Sequence, residues 1–333
     1  MIVTELEDLI LDNESELRET FNALSELDCI LSLAGSAIDM NMVRPQMVDN
    51  SGDSVINIEN GRHPLQEMAM DTEFIPNDTN IDSTNRVNVI TGPNFSGKSS
   101  YARQVGVLVY MAHIGSFLPC TKATISLTDH ILARFDTAET FAVPQSSFQG
   151  TLTQMASILR RSTEHSLVLI DEFGKGTSPA SGIAMLTAAL KKLAEIGCKV
   201  VCTTHFLEMF SLNQLEDGKD GIKANQMTIR LPESDDGRAI PLFKLRDGVA
   251  SSSAGLICAR AAGVPPEIVN RAKDILEAHR EGRKVEPLES ALPPKVVLKP
   301  TEKALLRCFF SVENWMEATE DELRTLVQRV ARL

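Results

Sequence analysis

The chain has 333 residues, an ordinary apolar content for a globular protein and a formal net charge of −12. This length suffices for one large domain with appendages, or for two small domains. The acidic balance disfavours a strong binder of nucleic-acid phosphates built from this chain alone, because such binding needs clustered Lys and Arg. The six cysteines form no C-x-x-C pair, which indicates reduced thiols rather than disulfides or a zinc site.

The sequence offers no clear membrane segment. No apolar run approaches the roughly 20 residues that a transmembrane helix needs. The N-terminal stretch MIVTELEDLILDNESEL is acidic, whereas a signal peptide begins with basic residues. We therefore expect no membrane association.

The first 85 positions are helical at the start and irregular afterwards. Residues 4–38 carry apolar side chains at helical spacing and predict one long helix, or two stacked helices, broken near Gly35. Residues 40–85 are richer in Pro, Asn, Asp and Gly and contain the alternating run SVINIEN. They predict an edge strand and loops that lead into the next domain.

From Arg86 onward, short apolar strands alternate with helices. The predicted strands are Arg86–Thr91, Ile131–Phe135, Ser166–Ile170 and Lys199–Thr203. The predicted helices are Ser99–Ile114, Thr151–Arg161, Ala180–Ile196 and Leu207–Leu212. This alternation favours an α/β fold in which helices flank a mostly parallel sheet.

The C-terminal part of the chain carries weaker signals. The runs QMTIRL and IPLFKLRDG predict two further strands, and Ser253–Ala262 and Pro266–His279 predict two short helices that meet at a Val-Pro-Pro corner. Glu281–Pro300 is rich in proline and charge, which is typical of a linker. Thr319 and Glu322 form a capping box that predicts the start of a final helix.

A glycine-bounded loop follows the first apolar strand. Its sequence GPNFSGKS fits G-x-x-x-x-G-K-[ST], the pattern of a phosphate-binding loop. Gly92 and Gly97 let the backbone N–H groups point at phosphate oxygens, and the following helix adds the positive end of its dipole. Lys98 can reach the β- and γ-phosphates, and the Ser99 hydroxyl can ligate Mg²⁺. The residues expected to bind a nucleotide here are Gly92, Pro93, Asn94, Phe95, Ser96, Gly97, Lys98, Ser99 and Ser100.

Two later strand ends supply titratable side chains. Asp171 and Glu172 follow the buried run Leu167–Ile170. In a phosphate-loop sheet, Asp171 lies where it can hold Mg²⁺ through water, and Glu172 can polarise the water that attacks the γ-phosphate. His205 follows the strand in VVCTTHF, where it can sense the γ-phosphate or orient that water. We predict catalytic roles for Lys98, Glu172 and His205, and metal binding by Ser99 and Asp171.

Several motifs, in this order and at these spacings, resemble the ATPase domain of the MutS DNA-repair and recombination family. They are GRHPL, FIPND, TGPNFSGKSSYARQ, GSFLPC, SLVLIDEFGKGTSPASG, TTHF and DGVASSSAGLICARAAGVPPEIVNRA. The similarity runs from about residue 15 to residue 280. Within the family, Phe173 and Lys175 resemble the meiotic MutS homologue five, whereas most relatives carry an aliphatic residue and an arginine there.

The resemblance implies an ABC-type ATPase that binds ATP and Mg²⁺ and dimerises head to tail, so that two chains enclose each nucleotide. Phe74 and Ile75 match positions that pack on the adenine, and His205 matches the family's switch histidine. Ser146 and Ser147 match the hydroxyl pair that reaches the γ-phosphate of the partner subunit. The late helix pair matches a helix-turn-helix that serves dimerisation and does not read DNA.

These matches divide the chain into four parts. Residues 1–40 resemble the end of the MutS lever, 41–250 the phosphate-loop ATPase domain, 251–280 the dimerisation element, and 281–333 a linker with a helical tail. The DNA-contacting, connector, lever and clamp domains of longer members do not fit before Gly61. We therefore expect a fragment of a longer product, or a reduced form that depends on a partner, with DNA contacted through domains that this chain lacks.

Two departures from the family pattern fall at the expected dimer interface. The residues after Phe148 are Gln149-Gly150-Thr151, where members usually carry an apolar residue and an acid, and Ser181 stands where they carry Asp. These changes predict weakened or asymmetric catalysis across the dimer. The phosphate-binding and magnesium-binding residues within the chain are all retained.

The leading hypothesis is an ATP-driven switch in meiotic recombination, acting in crossover formation as a clamp on DNA junctions. It would act in the nucleus, with the meiotic MutS homologue four as its heterodimer partner. Within the family, the alternative is a mismatch repair ATPase.

Two hypotheses come from other classes. A pseudo-enzyme that binds ATP only to shape an interaction surface is permitted by Ser181 and by Gln149-Gly150-Thr151. An ABC transporter or chromosome-structural ATPase requires an L-S-G-G-type signature, and QSSFQG is not one.

Overall fold

The computed structural model describes residues 2–50, 52–135, 147–230, 240–250, 255–285 and 319–330, together with positions 303 and 310. Its elements form a mixed α/β fold with two sheets and flanking helices. The chain divides into two compact units, Met1–Asn270 and Arg271–Leu333.

Helices and strands are numbered here in chain order. The helices are α1 (Ile2–Asp12), α2 (Glu14–Asp39), α3 (Pro64–Ala69), α4 (Lys98–His113), α5 (Ser147–Arg161), α6 (Pro179–Ile196), α7 (Glu208–Ser211), α8 (Gly255–Ala261), α9 (Pro266–Arg280) and α10 (Glu320–Val330). The strands are β1 (Gln46–Val48), β2 (Ile56–Gly61), β3 (Asn77–Ile81), β4 (Val87–Thr91), β5 (Lys122–Ser126), β6 (Ile131–Arg134), β7 (Leu167–Asp171), β8 (Lys199–Thr203), β9 (Ile222–Arg230) and β10 (Ile240–Asp247).

The larger sheet has six strands in the order β10-β9-β4-β8-β7-β6. Every neighbouring pair is parallel except β10 with β9, which is antiparallel. All residues of β4, β7 and β8 are buried, as expected for central parallel strands. The mostly parallel sheet expected from the strand–helix alternation is therefore present.

Side chains of the central strands alternate between two hydrophobic clusters, one on each face of the larger sheet. Val168 and Ile170 of β7 share a cluster with Leu186 and Leu190 of α6, whereas Leu169 belongs to the cluster that contains residues of α4 and of the smaller sheet. This alternation is the period of two of an extended strand. Both faces of the sheet are thus covered, which leaves its carboxyl-terminal edge to carry polar loops.

Residues 40–85 contain three strands of a second, four-stranded sheet, so the prediction of a single edge strand with loops is wrong. Its order is β1-β5-β2-β3, and β5 was not predicted as a strand. Strand β2 pairs antiparallel with β3 and β5, and β1 pairs parallel with β5. The alternation in SVINIEN is real, since Ile56 and Ile58 are fully buried. Strand β3, NDTNI, is rich in Asn and Asp, which strands disfavour, so only its distant partners reveal it.

The N-terminal helices break at Asn13, so the predicted break near Gly35 is wrong. Asn13 lies between the two helices, and its side-chain amide donates to the Leu9 carbonyl in the last turn of α1 at 2.8 Å. No atom outside the helix lies within 4 Å of a Cβ built at Gly35, so nothing there forces the helix to bend. Helix α2 contains no buried residue, and its apolar side chains, including Phe21, are exposed.

By length and composition alone, α2 could cross a membrane. The expectation that no segment is long and apolar enough to cross a membrane is therefore wrong for α2. A single helix of this kind near the N-terminus is weak evidence for a membrane segment, because core helices and signal sequences pass the same test.

The remaining helices begin close to the predicted positions. Helix α5 begins at Ser147, earlier than the predicted Thr151, and α6 begins at Pro179, where the Ser178 hydroxyl accepts from the Ser181 N–H at 3.3 Å. Residues 253 and 254, the first two of the predicted helix at 253–262, lie outside the described residues. Helix α10 begins directly after Thr319, as the capping box predicts, but the Glu322 side chain is not described.

Candidate active site

The phosphate-loop sequence connects β4 to α4 at the carboxyl-terminal edge of the larger sheet. Gly92 has φ 142° and Gly97 has φ 98°, both in the region that favours glycine. A Cβ at Gly92 would lie 3.3 Å from the Met227 carbonyl oxygen, so the strand β9 also leaves little room for a side chain. Ser96 is buried and its hydroxyl donates to the Pro93 carbonyl at 2.8 Å, which fixes the loop from inside.

Lys98 lies at the start of α4 and folds back over the loop. Its ammonium donates to the carbonyls of Gly92 and Pro93, each at 2.9 Å. The side chain is almost fully buried, and this burial lowers the pKa of Lys98 to about 8, although the carboxylates of Glu172 and Asp171 oppose the shift. A buried cation held at the loop can lend its charge to phosphate oxygens at little cost in side-chain ordering.

Asp171 ends β7 and is contacted from three other elements. Its Oδ1 accepts from the hydroxyl of Ser99 on α4 at 2.8 Å and from the hydroxyl of Thr203 on β8. Its backbone carbonyl accepts from the buried guanidinium of Arg134, which also donates to the Thr151 hydroxyl on α5 at 3.0 Å. These contacts place the Asp171 carboxylate next to the start of the phosphate-loop helix.

Glu172 follows with φ 48°, an uncommon conformation for a residue with a side chain. Its Oε1 bonds to His205 Nε2 and lies 3.9 Å from Lys98 Nζ, and its Oε2 pairs with Lys175 Nζ. The bond to His205, together with Lys175, lowers the pKa of Glu172 to about 2 against the opposing effect of burial. Glu172 is therefore ionised at neutral pH.

The donors around Asp171 suit Mg²⁺. Proteins usually hold this ion through one or two carboxylates together with water and substrate phosphates. Ser99 and Asp171 supply a hydroxyl and a carboxylate within hydrogen-bond distance of each other, beside the phosphate loop. In the described part of the chain, no group of three or more His, Cys, Asp or Glu lies close enough together to hold a metal ion.

The residues predicted to contact the base lie on the segment before β3. Phe74 is half-buried and Ile75 is exposed. The neighbouring Asn77 fastens this segment to β10, since its amide donates to the Phe243 carbonyl at 2.8 Å and its Oδ1 accepts from the Leu245 N–H at 2.7 Å.

Phe243 is a site residue that sequence reasoning missed. An irregular register in β10 between Pro241 and Leu245 gives Phe243 φ 52°, and its ring lies 3.2 Å from a Cβ built at Gly97. The ring therefore packs against the end of the phosphate loop. The run IPLFKLRDG carries no signal for this, because a bulge is invisible in an alternating strand pattern.

Other predicted residues are not brought together with this group. Asn94 and Phe95 project from the loop, and the Phe95 side chain is 90% exposed. Ser100 accepts from the Gln66 amide of α3 at 3.1 Å. Ser146 lies outside the described residues, and Ser147 begins α5 with its side chain not described.

The two departures at the expected interface have local partners. The Ser178 hydroxyl donates to the Ser181 hydroxyl at 2.8 Å in the first turn of α6. Thr151 is buried against Arg134, behind Asp171. Both positions thus belong to helices that start beside the candidate site.

A family model described as MutS domain V matches residues 88–280, more than half of the chain. The chain belongs to the MutS family. The DNA mismatch repair protein MutS of Clostridium botulinum strain Langeland is 35% identical over 329 residues, covering 97% of this chain and 33% of that protein. The protein of the same name from Clostridium perfringens is 38% identical over 282 residues, covering 81% and 30%. This MutS-family chain spans about a third of the length of the curated relatives it matches.

Family membership bears on several predictions. The predicted MutS family is confirmed, and MutS-family proteins are ATPases, which agrees with the predicted binding of ATP. The predicted nuclear location is wrong, because these relatives come from bacteria, which have no nucleus. The similarity to the meiotic homologue has no counterpart among these relatives, all of which are mismatch repair proteins by name.

Proposed function

We propose that this chain is the ATP-binding and ATP-hydrolysing switch domain of a DNA mismatch repair MutS protein. The observation that carries the proposal is the contact of Ser99 with Asp171, with Lys98 and Glu172 beside it. This arrangement joins a phosphate-binding loop to a metal-binding carboxylate and a general base. The names of the relatives support the repair context.

The binding step uses the loop and the base segment. The loop N–H groups and Lys98 hold the phosphates of ATP, and Ser99 and Asp171 hold Mg²⁺, which when bound neutralises the phosphate charge. Phe74 and Ile75 pack on the adenine, and Phe243, which lies at the end of the loop, contributes a further aromatic surface. The loop backbone from Gly92 to Gly97, with Lys98 and Ser99, thus forms the phosphate side of the site, and β10 and the segment before β3 form the base side.

The hydrolytic step uses Glu172 and His205. Glu172 Oε1 faces the loop, where it lies 3.9 Å from Lys98 Nζ, and it accepts a proton from the attacking water. His205 Nε2 is hydrogen-bonded to that oxygen, and His205 itself follows the end of β8. Because Glu172 is ionised at neutral pH, it carries the negative charge that polarises and orients the water.

The switch requires a second chain. In this proposal Ser146 and Ser147 reach the nucleotide of the partner subunit, and residues 251–280 strengthen the dimer. Residues 1–40 and 281–333 flank the ATPase domain 41–250 as the end of the lever and as a tail. DNA is contacted by parts of the MutS protein outside this chain, a proposal supported by the relatives' roughly threefold greater length. In the same proposal, DNA stimulates hydrolysis.

A second candidate is a recombination ATPase that pairs with a paralogous MutS homologue, such as the meiotic homologue four. It rests on Phe173 and Lys175 alone. Phe173 is buried in a hydrophobic cluster, where packing alone calls for an apolar residue, so it is a weak discriminator. The names of the relatives favour mismatch repair, and we propose that the chain pairs with a second copy of itself.

Two variants separate an ATPase from a nucleotide-binding pseudo-enzyme. For Lys98→Met, we expect ATP affinity to fall roughly tenfold or more, because the buried ammonium no longer meets the phosphates. For Glu172→Gln, we expect ATP to bind as before while hydrolysis falls roughly 100-fold. Unchanged hydrolysis in Glu172→Gln would overturn the assignment of the base, and absence of ATP binding by the unmodified chain would overturn the proposal itself.

A further inference from the structure

We infer that Lys175 is a positioning residue for hydrolysis: it holds Glu172 Oε2 so that Oε1 stays directed at the phosphate loop. This inference rests on the proposed role of Glu172 as the base. The two carboxylate oxygens have different partners, His205 and Lys98 on the side of Oε1 and Lys175 on the side of Oε2. Lys175 thus acts from the side opposite to the reacting oxygen.

The loop after β7 is built to return Lys175 to Glu172. Glu172, Gly174 and Gly176 all have positive φ, which curls the chain within a few residues. Gly174 packs closely on α6, since a Cβ there would lie 3.0 Å from the Gly182 Cα. Between them Phe173 is 2% exposed and anchors the curl in the core. Lys175 therefore starts from a fixed backbone.

The two members of the Glu172–Lys175 ion pair differ in exposure to solvent. The Glu172 side chain is 13% exposed and that of Lys175 is 55% exposed, so the lysine covers Glu172 from the solvent side. A half-exposed ion pair adds little to the stability of the fold. Its effect must therefore be sought in orientation and in catalysis rather than in unfolding.

Orientation needs the second contact. The terminal torsion of a glutamate side chain has a broad, roughly two-fold preference, so a carboxylate held at one oxygen alone can still turn. With His205 on Oε1 and Lys175 on Oε2, both oxygens are fixed. Removing Lys175 leaves the carboxylate held at Oε1 alone, so its plane can turn away from the loop, and small misplacements of a catalytic group are costly in rate.

The experiment compares Lys175→Met with Lys175→Arg in the 333-residue chain. For Lys175→Met, we expect kcat for ATP hydrolysis to fall roughly tenfold with KM and ATP affinity unchanged, because the contact acts on the base and not on the substrate. For Lys175→Arg, we expect kcat to remain near that of the unmodified chain, since a guanidinium also pairs with a carboxylate oxygen. Lys192→Met is the matched control, an exposed lysine paired with Glu195 on α6.

A second background tests whether Lys175 acts through Glu172. In Glu172→Gln, adding Lys175→Met should change kcat by less than about twofold, because the oxygen to be positioned is no longer a base. An unchanged or raised kcat in Lys175→Met, or equal losses in both backgrounds, would overturn the inference while leaving the ATPase proposal standing. If the unmodified chain and Glu172→Gln hydrolyse ATP equally, the role of Glu172 fails first, and the inference fails with it.

Discussion

The Ser99 hydroxyl donates to Asp171 Oδ1 at 2.8 Å, although 72 positions separate the two residues in the sequence. The contact exists because β4 and β7 are both parallel neighbours of β8, and because α4 starts directly after the loop that follows β4. Carboxyl ends of parallel strands meet at one edge of a sheet, which is where doubly wound folds bind ligands. This contact is the point at which a metal ion would join the phosphate loop to the hydrolytic carboxylates.

Removing the Ser99 hydroxyl should raise the Mg²⁺ requirement. For Ser99→Ala, we expect the Mg²⁺ concentration that half-saturates ATP hydrolysis to rise roughly tenfold, because one oxygen ligand is lost. The measurement is hydrolysis against Mg²⁺ at saturating ATP. Ser36→Ala, at an exposed helical serine whose hydroxyl donates to the Ser32 carbonyl within α2, should leave the requirement unchanged. An equal Mg²⁺ requirement in both variants would remove Ser99 from the metal site.

ATP affinity should fall with rising pH above about pH 8. Burial lowers the pKa of Lys98 to about 8, so the free chain loses the Lys98 proton, and with it the charge that attracts phosphate, as pH passes that value. Calorimetric titration of ATP at several pH values measures the effect. Lys98→Met should show weak binding without this decline, whereas Lys192→Met should retain it. A flat affinity between pH 7 and about pH 10 in the unmodified chain would contradict the buried environment of Lys98.

The burial of Lys98 also makes the free energy of unfolding depend on pH. Because the folded pKa of Lys98 lies below its unfolded value of 10.5, the unfolded chain binds more protons between the two values. The contribution of Lys98 to stability therefore rises with pH from about 8 toward 10.5. Denaturant unfolding of the ligand-free chain and of Lys98→Met across this range should show stability rising more steeply with pH, or falling less, in the unmodified chain; equal slopes would refute it.

Phe243 should contribute to recognition of the base and not of the phosphates. For Phe243→Ala, we expect the Kd for ATP to rise roughly tenfold, since aromatic stacking on a base is worth about 1–3 kcal/mol. Binding of tripolyphosphate, which has no base, should be unchanged. Ile240→Ala, another exposed position of β10, serves as the control. Equal losses for ATP and tripolyphosphate would mean that Phe243 supports the loop instead of the base.

Gly92 should tolerate no side chain. For Gly92→Ala, we expect the free energy of unfolding to fall by about 1–3 kcal/mol, because φ 142° is strained for alanine and the Cβ meets the Met227 carbonyl. Gly35→Ala is the matched control, because a Cβ at this partly exposed helical position has nothing within 4 Å and alanine should stabilise slightly. Chemical unfolding of both variants makes the comparison; a neutral Gly92→Ala would contradict the loop conformation.

The parts of the structure that sequence reasoning anticipated are those with strong local patterns. Buried apolar runs gave the central strands, and the glycines around Lys98 gave the loop, because both depend on neighbours in sequence. Asp171 and Glu172 could be placed because they directly follow a buried strand. The smaller sheet was not predicted, because β3 and β5 are stabilised by pairing with a strand that is distant in sequence.

Geometry that arises from several distant elements could not be read from the sequence. Lys175 was noted only as a family variant, and nothing in DEFGKGT reveals that it returns to Glu172 Oε2. Phe243 depends on a bulge, and Arg134 reaches Asp171 through the pairing of β6 with β7. Each of these contacts is fixed by tertiary packing rather than by local propensity.

The most direct test of the central claim is the solution mass of Glu172→Gln, measured with and without ATP and Mg²⁺. Slow hydrolysis in this variant should trap any pair of chains that encloses the nucleotide. We predict a shift from the mass of one chain to that of two on addition of ATP and Mg²⁺, and no shift with Lys98→Met. A single-chain mass at every ATP concentration, with ATP bound, would contradict an ATP-driven switch formed by two copies of this chain.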